Sequence, residues 1–306
     1  MIKFIAALLC FLFTVSFCYA QTVTGIRYKN KVFDNVTIQK NILYNAADSI
    51  KEKYRQFDIY QPANDSSHQR PLIIWMHGGG FKYGTKNAKE IKIWGNAFAQ
   101  RGYVFAAINY RLSKKHPISK FKDLVAACYN NVDDVKHAIE YFKLNADKFN
   151  IDTHKIILGG NSAGGVIALQ SVYSNAADLQ NVIDSNKIIA NTGNYNAYNV
   201  AAVINFWGAL FDDDLLKRAN VPIVSVCGAK DKIVPITTKG VAFFGSLDIH
   251  TKADALHILN EIKVYNGYGH ELQKTFNPFF RSKATKRRWE EAAVFSADFL
   301  YTALMK

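Results

Sequence analysis

The sequence is poor in cysteine and has no repeat of fixed period. Of its four cysteines, only Cys128 and Cys227 lie beyond the first twenty residues. Two cysteines in so long a chain cannot form a disulfide scaffold. Both follow apolar residues, which favours two buried free thiols, with one mutual disulfide as the alternative. The missing repeat argues against solenoids and propellers, and the content of 49% hydrophobic and 21% charged residues argues against disorder.

Long apolar runs are also scarce, and the longest lies at the N-terminus. Lys3 precedes an apolar run over residues 4–17, which is too short to span a bilayer comfortably and ends in Cys18-Tyr19-Ala20. Small residues at the −3 and −1 positions predict a signal peptide over residues 1–20, so that an exported chain, periplasmic or extracellular, begins at Gln21. A lipid anchor on Cys18 is the alternative, but bulky Phe17 disfavours it. No later segment reaches 18 apolar residues, so we expect no stable membrane insertion.

Acidic residues are fewer than basic ones, 25 against 38, which leaves a formal net charge of +13. Five basic residues crowd one short stretch, namely Arg281, Lys283, Lys286, Arg287 and Arg288. This stretch could attract anionic polysaccharide, lipopolysaccharide or nucleic acid, although a solvated segment leading into the last helix is the simpler interpretation. No nucleic-acid-binding motif accompanies the charge, so we expect no nucleic-acid partner.

The apolar pattern predicts strands that alternate with helices. Extended patterns between Val23 and Tyr60 come first, and they suit an antiparallel edge. Buried strands are then predicted over residues 71–76, 103–109, 155–159, 200–206, 221–227 and 261–265. Helices are predicted over residues 88–100, 121–142, 163–173, 212–219, 237–244 and 288–304, and residues 175–199 form a polar excursion. This alternation predicts an α/β fold with a mostly parallel sheet and helices on both faces, in one domain over residues 21–306.

The strongest motif is Gly160-Asn161-Ser162-Ala163-Gly164, which lies directly between a predicted buried strand and a predicted helix. A sharp turn at this point lifts a serine hydroxyl off the sheet, and small neighbours are needed because the backbone is crowded. The helix N-terminus adds free N–H groups and a partial positive charge. The alternative, a glycine-rich turn with an idle serine, does not explain this placement.

A second motif, His77-Gly78-Gly79-Gly80, ends the strand at residues 71–76. Three consecutive glycines leave backbone N–H groups bare, and such groups can hold the oxygen of a tetrahedral intermediate. A mere turn is the alternative. We expect His77 to shape this loop and not to act as a base.

The two motifs resemble the α/β-hydrolase fold, specifically the His-Gly-Gly-Gly esterases and lipases of the hormone-sensitive-lipase-like and carboxylesterase-like group. The resemblance covers the chain from about Tyr54 onward. In the hormone-sensitive-lipase-like group the residue after Gly160 is often acidic, and here it is Asn161, which leaves the subfamily open.

The family order is nucleophile, acid and base, and the resemblance implies a position for each. Ser162 is the expected nucleophile. Asp231, in the turn after the strand at residues 221–227, is the expected acid, and Asp212, Asp213 and Asp214 are weaker candidates at a helix start. His270, between flanking glycines after the last strand, is the expected base, because the other histidines lie in helices or in loops elsewhere.

These positions imply a serine hydrolase with the N–H groups of Gly79, Gly80 and Ala163 as the oxyanion hole. We expect no cofactor and no metal, because the chain lacks the zinc, phosphate-loop and dinucleotide motifs. No large lid insertion is visible, which favours short-chain or aryl esters, such as acetyl or feruloyl groups on polysaccharide. Candidate wall residues are Phe81, Tyr83, Trp207, Tyr268 and Phe276. A lipase, a serine peptidase of the same fold and a non-enzymatic binding protein remain alternatives, and the oligomeric state stays open.

Overall fold

The computed structural model describes residues 25–47, 49–185, 196, 198–238 and 243–306, so the predicted signal peptide lies outside the described residues. Eight strands of the described chain form one sheet in the order β1-β2-β4-β3-β5-β6-β7-β8. They are β1 (Val36–Leu43), β2 (Gln56–Pro62), β3 (Arg70–Met76), β4 (Val104–Ile108), β5 (Ile151–Asn161), β6 (Val200–Phe206), β7 (Ile223–Gly228) and β8 (Asn260–Tyr265). The strands from β4 to β8 pair in parallel, and β1 and β2 add the predicted antiparallel edge.

Helices cover both faces of this sheet. They are α1 (Lys89–Ala99), α2 (Phe121–Leu144), α3 (Ala146–Phe149), α4 (Ala163–Tyr173), α5 (Ala176–Ser185), α6 (Ser246–Ala255) and α7 (Lys283–Leu304). Strand β3 shows why two faces form, because every one of its residues is buried and successive side chains point to opposite sides. Ile74 belongs to the core with α2 and α4, whereas Trp75 belongs to the core with α1 and α7. The predicted α/β-hydrolase fold is thereby confirmed.

Several elements differ from the sequence prediction. Strand β5 begins four residues early, and the helix predicted over residues 212–219 is a 3-10 helix (Asp213–Arg218). Three further differences lie where capping residues mark the start of a helix. Helix α7 begins five residues early because the Ser282 Oγ accepts a hydrogen bond from the Thr285 N–H at 3.0 Å. The polar excursion contains α5, whose start is fixed by reciprocal bonds between Asn175 and Asp178. The predicted helix over residues 237–244 is wrong where it can be checked, since Phe244 pairs with Leu210 in a β-bridge. The helix there is α6, which follows Gly245.

Both remaining cysteines are buried free thiols, as predicted. Cys128 lies on α2 and Cys227 lies on β7, and burial raises the pKa of each thiol, that of Cys227 to about 12. Such thiols are unreactive at neutral pH. Within the described part of the chain, no helix combines the length and apolarity that a membrane crossing requires.

Because strands β3 to β8 are parallel, their carboxyl ends lie at the same edge of the sheet, which we call the carboxyl edge. It consists of the segments that follow these strands and of the segment that joins β1 to β2. The latter belongs to this edge because the start of β2 pairs with Ile108, the last residue of β4. The opposite edge, formed by the segments that lead into the parallel strands, is the amino edge. In open α/β sheets, sites form at the carboxyl edge.

Candidate active site

Ser162 occupies the sharp turn between β5 and α4. Its backbone has φ 54° and ψ −118°, a left-handed conformation that is costly for a residue with a Cβ. Its N–H donates to the Phe206 carbonyl at 2.8 Å, which holds the turn against β6. A Cβ on Gly164 would lie 2.0 Å from the Met76 carbonyl oxygen, so the helix can begin this close to β3 only with glycine there. The glycines of the motif therefore allow the turn that exposes the serine.

The structure brings Ser162, His270 and Asp231 into one hydrogen-bonded chain. The distance from His270 Nε2 to Ser162 Oγ is 3.0 Å, and that from His270 Nδ1 to Asp231 Oδ2 is 2.8 Å. Because the carboxylate can only accept, Nδ1 is assigned the ring proton and Nε2 is left to accept from the serine hydroxyl. All three side chains are largely buried, and the serine keeps 9% of its surface exposed.

Asp231 is held by its own turn. Its Oδ1 accepts from the N–H groups of Ile233 and Val234, both at 2.9 Å, which leaves Oδ2 for the histidine. A Cβ on Gly228 would lie 2.4 Å from the Tyr268 carbonyl oxygen, so glycine lets the two loops approach. The weaker acid candidates are engaged elsewhere: Asp212 caps a short 3-10 helix (Asp213–Arg218), and Asp214 pairs with Lys252.

Helix α7 holds the loop that bears His270. Glu271 and Leu272 follow the histidine with φ values of 53° and 56°, two consecutive left-handed residues. The Glu271 carbonyl accepts from Trp289 Nε1 and the Leu272 carbonyl from Arg288 Nε, each at 2.9 Å. Arg281 forms an ion pair with the Glu271 carboxylate. The sequence analysis missed these supports, because no short-range pattern links residues that lie some sixteen to eighteen positions apart.

Two of the five residues of the predicted basic stretch therefore contact the loop that bears His270. Besides the Arg281 ion pair, the Arg288 guanidinium lies 3.9 Å from the centre of the Tyr268 ring. Lys283 and Arg287 remain exposed on the first turns of α7. This agrees with the interpretation of the stretch as a solvated segment that leads into the last helix.

The glycine motif forms a tight loop after β3. Gly79, Gly80 and Gly84 have φ values of 123°, 59° and 96°, and a Cβ on Gly84 would lie 2.2 Å from the Gly78 carbonyl oxygen. The Tyr83 N–H closes the loop onto the Gly79 carbonyl at 2.9 Å. Only glycine adopts this backbone without strain.

His77 shapes this loop from inside the protein. Its ring stacks on Tyr110 with 4.2 Å between ring centres, and the Tyr110 hydroxyl donates to the His77 carbonyl at 2.7 Å. Burial lowers the pKa of His77 to about 4, so the ring is neutral near pH 7. This is the non-catalytic role that the sequence predicts.

The glycine loop lies directly against the nucleophile turn. A Cβ on Gly78 would be 2.8 Å from Asn161 Nδ2 and 3.5 Å from Ser162 Cβ. Ala163 is the first residue of α4, a position whose N–H has no partner within the helix. The Asn161 side chain is buried and accepts from Trp75 Nε1 at 3.3 Å. An amide thus fills the position where the family resemblance expects an acid.

A buried ion pair anchors the far end of the glycine loop. Lys86 Nζ contacts the Asp58 carboxylate and donates to Asn41 Oδ1 at 2.7 Å, which ties the loop to β2 and β1. The Lys86 N–H also donates to Asn109 Oδ1 at 2.7 Å. The ion pair of Lys86 with Asp58 could not be predicted from the sequence, because no short-range pattern links these two residues.

Two of the five residues that the sequence predicts to line the substrate pocket are instead buried. Phe81 and Trp207 are 3% and 1% exposed, because both pack into the core beneath the site. Tyr83 and Phe276 are exposed, and the Phe276 ring lies 5.5 Å from the His270 ring in an edge-on arrangement. Tyr268 lies under Arg288. Within the described residues, no cluster of three or more His, Cys, Asp or Glu side chains could hold a metal ion.

The fold and this geometry define an α/β-hydrolase of the carboxylesterase type, and comparisons with known proteins agree. The profile of the BD-FAE family matches residues 57–220, just over half of the chain, and the chain therefore belongs to that family. An AB hydrolase superfamily protein of Schizosaccharomyces pombe is 34% identical over 116 residues, which cover 36% of this chain and 29% of the relative. The Fumonisin B1 esterase of Sphingopyxis macrogoltabida is 26% identical over 175 residues, 55% of this chain and 32% of the relative.

The chain thus matches less than a third of the length of these curated relatives. Among solved structures, the esterase 2 of Thermogutta terrifontis phosphonylated by cyclosarin aligns with a TM-score of 0.60 at 21% identity. That alignment covers 86% of this chain and 93% of the solved one. At this identity the likeness shows the fold alone, and it supports the predicted α/β-hydrolase architecture over nearly the whole chain.

Proposed function

We propose that the protein hydrolyses carboxylic esters, with Ser162 as nucleophile, His270 as general base and acid, and Asp231 as the residue that orients the imidazole. The observation that carries this proposal is the hydrogen-bonded chain from Ser162 Oγ through His270 to Asp231 Oδ2, at a strained turn between strand and helix. A serine hydroxyl next to one imidazole nitrogen, with the other nitrogen held by a carboxylate, is the arrangement that activates a hydroxyl for acyl transfer.

The proposed reaction has two halves. Ser162 Oγ attacks the ester carbonyl while His270 Nε2 takes its proton, and the imidazolium then protonates the leaving alcohol. Water repeats the attack on the acyl-serine, and the acid leaves. The N–H groups of Gly79, Gly80 and Ala163 stabilise the oxyanion in both halves, and each such donor contributes about 10²–10³ in rate.

For the acyl group we propose a short chain or a compact aryl acid, such as acetyl or feruloyl groups on polysaccharide. The connection between β6 and β7 is short and contains only a 3-10 helix (Asp213–Arg218), which offers no cover for a long fatty chain. The Thermogutta terrifontis esterase 2 has been solved with propionate and with butyrate bound, acids of the proposed size. These features favour a short-chain esterase over a lipase.

Two further alternatives have less support. A serine peptidase would cleave aminoacyl anilides, and a non-enzymatic binding protein of this fold would be expected to lack a member of the triad. The proposed nucleophile, base and acid lie within hydrogen-bonding distance of one another, which favours an enzyme.

The test is a series of 4-nitrophenyl esters with acyl chains of two to twelve carbons, together with methyl ferulate. We expect kcat/KM to be highest at two to four carbons or for the aryl acid, and to fall at ten or more. Ser162→Ala should lower kcat by about 10⁴–10⁶. Ser66→Ala, at an exposed serine of the amino edge, is the matched control and should change nothing. A preference for long-chain esters would point to a lipase, and unchanged activity in Ser162→Ala would refute the assignment of the nucleophile.

We also propose that residues 1–20 are a signal peptide and that residues 21–306 form the exported hydrolase domain. The support is the sequence pattern alone. Mass spectrometry of protein recovered outside the cytoplasm should find Gln21, or its cyclised form, at the N-terminus. An intact Met1 or a lipidated Cys18 would contradict this proposal.

A further inference from the structure

The carboxyl edge around Ser162 is rich in lysine and poor in acids. The two segments that follow β3 and β4, residues 77–88 and 109–120, contain no aspartate or glutamate at all. Six exposed lysines lie on the segments that follow β4, β7 and β8, namely Lys114, Lys115, Lys120, Lys230, Lys232 and Lys274. Among the residues that the structure describes, none of these six takes part in an ion pair.

The carboxylates of this edge do not neutralise those lysines. Asp231 is bound to His270, and Glu271 is bound to Arg281. In the segment after β6, Asp212 caps the 3-10 helix, and Asp213 and Asp214 pair with Lys252. The amino edge differs, because there Asp65 accepts from both Arg27 and Arg70, at 2.6 and 3.4 Å. Six exposed lysines without an acidic partner among the described residues therefore lie on the side where the ester must enter.

The lysines lie on both sides of the nucleophile. Strand β4 is on one side of β5 in the sheet order, and β7 and β8 are on the other. Five strand spacings separate β4 from β8, which corresponds to about 24 Å. A single small anion cannot bridge such a span, whereas an extended polymer can cross the site and present one of its esters at Ser162.

A cavity of about 540 Å³ opens on the β4 side. Its lining includes Lys51, Lys114, Lys115 and Ser113, and the Ser113 N–H donates to the Phe81 carbonyl at 2.8 Å, next to Gly80. The cavity therefore adjoins the back of the glycine loop. Asp123 is the only acidic side chain among the described residues that line it, and its carboxylate accepts from the His116 N–H.

We propose that the carboxyl edge is the binding surface for an anionic polysaccharide, one with carboxylate-bearing sugars, whose chain carries the ester that Ser162 cleaves. This inference rests on the proposed esterase function and names its substrate class. Unpaired lysines on a surface raise the local concentration of a polyanion and speed its association. An anionic membrane is the competing partner, because exposed apolar side chains also lie on this edge, Ile118 after β4 and Phe279 and Phe280 after β8. The binding comparison below distinguishes the two partners.

The test compares three substrates of the mature protein: O-acetylated polygalacturonate, O-acetylated glucomannan as the neutral polymer, and 4-nitrophenyl acetate. Between 20 and 500 mM NaCl we expect kcat/KM on the anionic polymer to fall about tenfold or more, since salt screens the attraction. On the two neutral substrates it should change less than about twofold. Equal salt dependence on all three substrates would overturn the proposal.

The charge-reversal variant Lys114→Glu/Lys274→Glu places one change on each side of Ser162. It should lose about tenfold in kcat/KM on the anionic polymer at 20 mM NaCl and keep its rate on 4-nitrophenyl acetate. The control Lys148→Glu/Lys306→Glu alters the net charge equally at exposed lysines away from this edge. An equal loss in the control would show that the net charge of the protein is responsible. It would refute the proposal that the carboxyl edge is the binding surface.

A binding measurement separates this proposal from the esterase function. Wild type should bind unesterified polygalacturonate in a calorimeter and should bind phosphatidylglycerol vesicles more weakly. Tighter binding to the vesicles would overturn the proposal in favour of a membrane. Retained polygalacturonate binding in a protein that hydrolyses none of the esters would refute the proposed function and leave the polyanion surface supported.

Discussion

Both edges of the sheet contain residues with left-handed backbone angles, but the types of residue that adopt these angles differ between the edges. At the amino edge these are chiefly residues that tolerate it, such as Asn64 and Asn150 with φ values of 58° and 52°, and Gly102, although Gln69 is an exception. At the carboxyl edge they include Ser162, Trp207 and Leu272, for which this backbone is costly. Strain of this kind persists only where surrounding contacts enforce it, and such sites are commonly functional.

The edges differ in charge as well as in backbone. At the amino edge, Asp65 bridges Arg27 and Arg70. At the carboxyl edge, Asp231 and Glu271 hold His270 and its loop, and six exposed lysines have no acidic partner among the described residues. The comparison teaches that one edge is built for stability and the other for chemistry, so matched substitutions at the two edges should have different effects.

The largest difference is expected for two buried aspartates. Asp231→Asn should lower kcat on 4-nitrophenyl acetate by about 10⁴, because an amide at this position favours the wrong imidazole tautomer. Asp65→Asn should leave kcat unchanged and lower the free energy of unfolding by about 1–3 kcal/mol, because two arginines lose a charged partner. Kinetics and urea unfolding of both variants measure this. If Asp65→Asn lost activity to a similar degree, the division between the edges would fail.

A smaller difference between the edges is expected when a glycine of each is replaced by alanine. Gly228→Ala should lower kcat about 10–100-fold, because its Cβ would meet the Tyr268 carbonyl oxygen at 2.4 Å and separate the loops that bear Asp231 and His270. Gly102→Ala, at φ 104°, should destabilise the fold by about 1–2 kcal/mol with kcat preserved. Gly267→Ala is the neutral control, since nothing lies within 4 Å of its Cβ position. A fully active Gly228→Ala would show that the loop contact is not needed.

The last effect leaves activity unchanged and concerns a property that the two edges share, a buried neutral histidine. Burial lowers the pKa of His77 and of His250, each to about 4. The unfolded chain therefore binds more protons than the folded one between about pH 6.5 and 4, so stability is full above this window and is lost as the pH falls through it. His250→Gln, which removes one titrating ring, should lessen that loss by on the order of 2 kcal/mol.

Thermal unfolding of wild type and His250→Gln at pH 7, 5.5 and 4 measures this effect. Stability should fall less in the variant than in wild type between pH 7 and pH 4. We expect kcat at pH 7 to stay equal, because His250 lies on α6 and its ring is hydrogen-bonded to Asn260. Parallel pH curves would mean that His250 does not contribute to the acid destabilisation.

Much of the fold could be predicted because its signals are local. Helix α4 and strand β6 have the predicted bounds, since a buried strand and an apolar helix are each visible in a short window. The start of α7 and the position of α6 were missed because single capping contacts decide them, at Ser282 and at Gly245. Such caps involve side-chain geometry that an apolar pattern does not report.

In the candidate site, too, some residues are predictable from a local pattern and others are not. Ser162 and the glycine loop are visible as motifs, and the order of elements then locates Asp231 and His270. Their supports are long-range contacts between residues of ordinary type, such as Trp289 with the Glu271 carbonyl and Lys86 with Asp58. Trp207 was misassigned because an aromatic residue after a strand gives no sign of which way its ring packs.

The most direct measurement of the central claim is covalent labelling of the nucleophile. Diisopropyl fluorophosphate forms a bond from an activated serine oxygen to phosphorus, with fluoride as the leaving group, and the adduct is located by mass spectrometry of peptides. A single adduct on Ser162 is predicted in the wild-type protein, with a rate that falls by several orders of magnitude in His270→Gln. Labelling at another residue, or none at all in a protein shown to be folded, would contradict the assignment of Ser162, His270 and Asp231 as one catalytic unit.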